Sequence, residues 1–120
     1  MVTWNIDGLN KKNLDARLKH ITEQILKLKP DVVYVQEAND EAVEMFERNL
    51  IEYHVLEQGS GCNYFTCILL RQTTIYMDDV KTKSFDNTKM ARGLQLVKAH
   101  MGDVKFAFIN VHLESTKVFF

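Results

Sequence analysis

The sequence has little cysteine, little proline and almost no net charge. Its two cysteines, Cys62 and Cys67, are too few for a disulfide framework, and no second pair completes a zinc site, which fits a reducing intracellular compartment. One proline and five glycines in 120 residues leave no Pro- or Gly-rich linker, and no internal repeat or low-complexity tract divides the chain. The longest uncharged apolar run, Val32 to Val35, is far too short to span a bilayer, so no membrane partner is expected. No basic-then-apolar presequence opens the chain, because Met1 leads almost at once into a strand pattern. A formal net charge of −1 gives no global basic character to attract a polyanion.

What is there describes one folded domain. Hydrophobic residues make up 46% and charged residues 26%, a balance that supports a core rather than disorder. Charge is unevenly placed, with an acidic excess in residues 1–60 and a basic excess in 61–120. That polarity suits a carboxylate-rich metal side next to a phosphate-facing side, and equally suits ordinary surface scatter.

Val2 to Ile6 reads as a strand broken by the turn formers Asp7-Gly8-Leu9-Asn10. Leu14, Leu18, Ile21, Ile25 and Leu28 recur at helical spacing, with Asn13 as the expected N-cap and Pro30 as the stop. Asp31 to Gln36 is a β-branched run without alternation, the pattern of a strand covered on both faces. A weaker helix over Asp40 to Leu50 turns Val43, Phe46 and Leu50 inward. Strand patterns then cover Glu52–Glu57, Tyr64–Arg71, Thr74–Val80, Leu94–His100 and Val104–Leu113, with Gly59 and Gly61 in a loop and Met101-Gly102-Asp103 as a hairpin turn. The fold class is α/β, with a mixed sheet and two flanking helices.

Three segments fall at the C-terminal ends of strands, where such sheets present their ligands. They are Thr3 to Gly8, Val35-Gln36-Glu37, and Val111 to Thr116. With the strands side by side, Asn5, Asp7, Glu37 and His112 converge on one rim. Oxygen donors of that kind suit a hard divalent cation held by one or two carboxylates, with water and substrate phosphate completing its shell. Each residue also has a plainer reading. Glu37 can be the first solvated residue of a loop, Asp7 a turn former, His112 a structural histidine, and Asn5 with Trp4 a turn residue and a core aromatic.

The combination is more specific than its parts. Thr3-Trp4-Asn5, Gln36-Glu37 and His112-Leu113-Glu114-Ser115 resemble the endonuclease/exonuclease/phosphatase superfamily of Mg²⁺-dependent phosphodiesterases and phosphatases. Thr3 to Leu9 (TWNIDGL), Tyr64-Phe65-Thr66, Thr88 to Arg92 (TKMAR) and His112 to Thr116 (HLEST) resemble its tyrosyl-DNA phosphodiesterase 2 family over essentially the whole chain. The resemblance implies half of a four-layer α/β sandwich, with the second half missing. It implies hydrolysis of the phosphodiester between a topoisomerase tyrosine and a DNA 5′ end in DNA repair, with Mg²⁺ as cofactor and Mn²⁺ as an alternative. DNA with a 5′-phosphotyrosyl end becomes the expected partner, and the nucleus the expected location, with the cytoplasm second.

Carried over by position, Glu37 is the principal metal ligand with Asp7 beside it, and Asn5 orients groups around the scissile phosphate. Asn5, Ile6, Asp7, Gly8 and Leu9 contact the 5′ end of DNA from one side. His112, Leu113, Glu114, Ser115, Thr116 and Lys117 contact it from the other, with His112 stabilising phosphate charge and Ser115 hydrogen-bonding it. Tyr64 matches an aromatic lining the DNA groove, where bases offer their π faces. Arg92 matches an arginine near the site, its fork of donors suited to a phosphate. Lys81, Lys83 and Lys89 extend a basic path or form a solvated face.

The pattern then breaks. The family also uses a later Gly-Asp-x-Asn motif and a final Ser-Asp-His motif, and neither occurs in the sequence; Gly102-Asp103 is followed by Val104-Lys105. This predicts a chain inactive on its own, with the helix-free face of its sheet bare and prone to self-association. Two alternatives remain: a non-catalytic nucleic-acid-binding or interaction relic of the fold, and a related deadenylase or abasic-site endonuclease.

Overall fold

A computed structural model describes residues 1–58 and 63–113. Its opening unit follows the apolar spacing. Strand β1 (Val2–Asn5) leads through helix α1 (Leu14–Leu28) to strand β2 (Val32–Ala38), which pairs with β1 in parallel, Val2 opposite Val33 and Asn5 opposite Gln36. Leu14, Leu18, Ile21 and Ile25 share one face of α1, and all four are buried. Two details differ from expectation. Asn13 makes no side-chain cap; it sits in the left-handed region at φ 54, and its carbonyl accepts the Arg17 N–H at 3.0 Å. Leu28, the last residue of α1, is 61% exposed. Lys29 turns left-handed at φ 46 and donates to the Ile25 carbonyl, and Pro30 has no N–H to carry the ladder on.

Helix α2 (Asp40–Asn49) starts at Asn39, whose side-chain oxygen accepts the Ala42 N–H at 2.9 Å. Phe46 and Leu50 are buried and Val43 partly so, joined on the same face by Ala42 and Met45. Strand β3 (Tyr53–Glu57) and strand β4 (Phe65–Arg71) run antiparallel and complete a four-stranded sheet in the order β1-β2-β4-β3. The remaining strands β5 (Tyr76–Ser84), β6 (Gly93–Met101) and β7 (Val104–Val111) form a separate antiparallel sheet. The β6–β7 hairpin closes over Gly102-Asp103, where Gly102 takes φ +57 at no steric cost.

This division corrects the expectation of a sheet with one bare face. One core lies between the helices and the first sheet, with Ile25, Phe46, Val33, Val35 and Leu69 at its centre. A second lies between the two sheets, where Val32, Ile68 and Leu70 meet Val97, Ala99 and Phe108. The physical sign of that second cover is β4 itself: Phe65 to Leu70 are all buried, which a strand exposed on one face cannot be. The described residues therefore form three layers: helices, first sheet and second sheet. The uncovered apolar surface moves one layer outward, to β7, where Ile109 and Val111 are exposed and alternate with buried Phe108 and Asn110. Among the described residues no helix is long and apolar enough to cross a membrane.

Candidate active site

The register of β2 against β4 breaks between Val35 and Ala38. A bulge of this kind re-aims the side chains that it displaces. Glu37 sits in it at φ 55, outside the range that a regular strand allows. The irregularity is held from the second sheet. The Asn110 side-chain amide donates to the carbonyls of Val35 (3.1 Å) and Cys67 (2.8 Å) and accepts from Gln36 at 3.0 Å. Asn110 is buried, and without those partners its amide would cost free energy in the apolar layer.

The turn after β1 is tied to the same place. Asn5 Oδ1 accepts the Asp7 N–H at 3.0 Å, Asp7 takes φ 50, and Asp7 Oδ2 accepts from Asn10 at 3.1 Å. Gly8 donates its N–H to the Glu37 carbonyl at 2.9 Å, and Asn39 Nδ2 donates to the Gly8 carbonyl at 2.8 Å. A Cβ at Gly8 would lie 2.3 Å from the Glu37 carbonyl oxygen, so close approach of the backbone requires glycine here. Arg17 on α1 fastens the turn from below, donating to the carbonyls of Ile6 (2.7 Å), Asp7 and Asn10.

Beyond β7, His112 faces Glu37 across the rim, its Nε2 lying 3.6 Å from Glu37 Oε1. The other ring nitrogen, Nδ1, lies 2.7 Å from Nη1 of Arg92. The Arg92 guanidinium stands over the Tyr64 ring at 5.2 Å, and Tyr64 meets the His112 ring edge-on at 6.3 Å. Burial, with the Arg92 cation beside it, pushes the imidazole below its ordinary pKa, against the pull of the Glu37 carboxylate. The first two effects disfavour the charged form of the ring.

Glu37, His112, Arg92 and Tyr64 are brought together directly, and Asn5, Ile6, Asp7, Gly8 and Leu9 adjoin them through the Gly8–Glu37 hydrogen bond. Ile6 is buried under the turn, whereas Leu9 and Leu113 are exposed at the rim. Glu114, Ser115, Thr116 and Lys117 lie outside the described residues, as do Cys62 and the two loop glycines. Arg92, expected to offer its fork to a phosphate, is 5% exposed and gives its terminal nitrogens to His112 and to the sulfur of Met90 instead. Lys81 pairs with Asp79 at 3.7 Å on an exposed face.

For a metal, the described residues contain no group of three or more His, Cys, Asp or Glu side chains. The expected Asp7–Glu37 pair is therefore not a preformed cage, because the Asp7 carboxylate is drawn to Asn10 on its own turn. The Glu37 carboxylate is differently placed. Among the described residues its side-chain neighbour is the His112 ring, at a distance too long for a hydrogen bond. An anionic oxygen donor without a competing protein donor fits Mg²⁺, which keeps several waters and needs only one or two carboxylates.

Residues 2–107 match the Endonuclease/Exonuclease/phosphatase family. The chain belongs to that family. Among its curated relatives are a 5′-tyrosyl-DNA phosphodiesterase of Caenorhabditis briggsae, 33% identical over 98% of this chain, and the mouse (Mus musculus) tyrosyl-DNA phosphodiesterase 2, 34% identical over 97%. The crystal structure of Danio rerio tyrosyl-DNA phosphodiesterase 2 in complex with a single-strand DNA product superposes over 97% of this chain with a TM-score of 0.93 at 29% identity. The matched part is the N-terminal portion of the family domain: this chain spans 33% and 31% of the two curated relatives and 46% of the solved one.

Several residues that shape this family member's site carried no functional signal in the sequence. Asn39 stands just ahead of the helix pattern over Asp40 to Leu50, and nothing in that spacing marks its bond to Gly8. Asn110 is a single polar interruption of a strand pattern, and Arg17 one cation on the charged side of a helix.

Proposed function

We propose that this chain carries the metal-side and 5′-end-binding half of a Mg²⁺-dependent 5′-tyrosyl-DNA phosphodiesterase. The observation that carries the reading is Glu37 and His112 facing each other across an open rim, built on a turn and bulge that Gly8, Asn39 and Asn110 lock together. Relatives named as 5′-tyrosyl-DNA phosphodiesterases, one of them solved with a DNA product, support the substrate class.

Glu37 would hold the Mg²⁺, and Mn²⁺ would fit the same donor. When bound, the ion neutralises charge on the phosphate oxygens. The chain's own residues do the rest. Asn5 orients the phosphate from the first turn. His112 offers an N–H from a half-buried ring, where a hydrogen bond to an anion is worth more than in bulk. Tyr64 supports a nucleobase or the ring edge at the 5′ end, and Ser115 adds a hydroxyl to the phosphate. Residues that would activate the attacking water belong to the Gly-Asp-x-Asn and Ser-Asp-His motifs that the 120 residues lack. The chain by itself is therefore expected to bind a 5′-phosphorylated end without turning over a phosphotyrosyl bond. A DNA substrate of this class would be met in the nucleus, with the cytoplasm second, and the exposed β7 face favours association with a second copy.

Titration of a 5′-phosphorylated single-stranded oligonucleotide tests the reading. Binding is expected to strengthen with Mg²⁺ and to lose that dependence in Glu37→Ala. Binding indifferent to both Mg²⁺ and Glu37 would support a non-catalytic relic. Turnover of a 5′-phosphotyrosyl oligonucleotide by the pure chain would overturn its expected inactivity.

A further inference from the structure

Arg92 is the most deeply buried cation of the site, and its geometry does not suit direct capture of a phosphate. Its side chain is enclosed, with Nη1 at 2.7 Å from His112 Nδ1, Nη2 at 3.6 Å from the Met90 sulfur, and its flat face over Tyr64. Its Nε is buried with no hydrogen-bond partner among the described residues. The main chain is pinned as well, since the Arg92 N–H donates to Thr88 Oγ1 at 2.8 Å and its carbonyl accepts the Phe85 N–H at 3.0 Å.

We propose that Arg92 is a positioning residue that sets the tautomer of His112. The argument is one of donor count. A guanidinium has only donors and does not lose its proton in a protein. At 2.7 Å from Arg92 Nη1, His112 Nδ1 must therefore be the acceptor, which leaves the ring proton on Nε2. That nitrogen faces the rim at 3.6 Å from Glu37 Oε1, too far to be consumed by the carboxylate. Arg92 thus turns His112 into an outward N–H donor. Tyr64 borders both groups: its ring lies under the guanidinium and meets the His112 ring edge-on.

The inference deepens the functional reading above, because the outward N–H would meet the phosphate oxygens. Its test is made without nucleic acid, so the two fail separately. Histidine-labelled full chain is examined by long-range ¹⁵N–¹H correlation in metal-free buffer at neutral pH or above. His112 should show a single neutral form with its proton on Nε2. Arg92→Met should abolish that preference and populate both tautomers, whereas Arg92→Lys, which keeps one donor, should preserve it. A purely structural role would affect Lys and Met alike, and that outcome counts against the proposal. The wild-type spectrum decides independently of whether the variants fold: a proton on Nδ1 overturns the inference. Loss of oligonucleotide binding with the tautomer intact would instead count against the functional reading alone.

Discussion

At the scale of single residues, backbone approach and donor count shape the site as much as charge does. Gly8 shows the first. Its neighbour across the turn is a backbone carbonyl that cannot rotate away, so Gly8→Ala must push the turn off β2. The expected cost is about 1–3 kcal/mol, as for other overpacking substitutions, read as a lower denaturant midpoint with an unchanged slope. Mg²⁺-dependent binding should fall with it, because the turn carries Asn5 and Asp7; an unchanged midpoint would mean the turn has slack. Of this site, the sequence showed the chemistry-bearing residues and little of what holds them. Glu37 and His112 are separated by 75 positions, and their meeting depends on a bulge whose cause, Asn110, lies in the other sheet. Spacing encodes local periodicity, and it carries no record of a contact closed across two sheets. Arg92 was visible as a lone arginine, but only its burial shows that its partner is a ring nitrogen.

At the scale of elements, the β1–α1–β2 unit was legible because its periodicity is local and complete. The second sheet was not. β5 has only Val80 partly buried along its length, so its pattern is that of an edge strand, and nothing in it names the sheet to which it belongs. Helix ends were read less well than helix bodies. Asn13 and Lys29 both adopt left-handed conformations that glycine would take without strain. Lys29 closes α1 with its N–H on Ile25, the position where a glycine is most often found. Lys29→Gly is expected to stabilise the chain by about 1 kcal/mol, the cost of a left-handed L-residue offset in part by greater freedom of the unfolded glycine. Thermal unfolding of the two proteins side by side checks this, and a lower midpoint for the glycine variant would show that Lys29 is stabilised by something other than backbone geometry.

At the scale of the whole molecule, two sheets and two helices form three layers, and the outermost ends in apolar side chains. Ile109 is 52% exposed and Val111 36% on the last strand, beside an unpaired strand edge. Sedimentation velocity should therefore show concentration-dependent association of the full chain, and Ile109→Lys should reduce it by placing a charge in that patch. Association unaffected by the lysine would direct attention to the open edge of β1 instead. The Asn110 amide has a different consequence at this scale. It is one point where the outer sheet grips the inner one, beside the Gln95 side chain that donates to the Leu56 carbonyl, and its two protons can be lost to solvent only when the sheets part. Its side-chain NH₂ signal is thus a natural reporter of sheet separation: slow deuterium uptake there, relative to the backbone of β5, would time the docking of the two sheets without any added label.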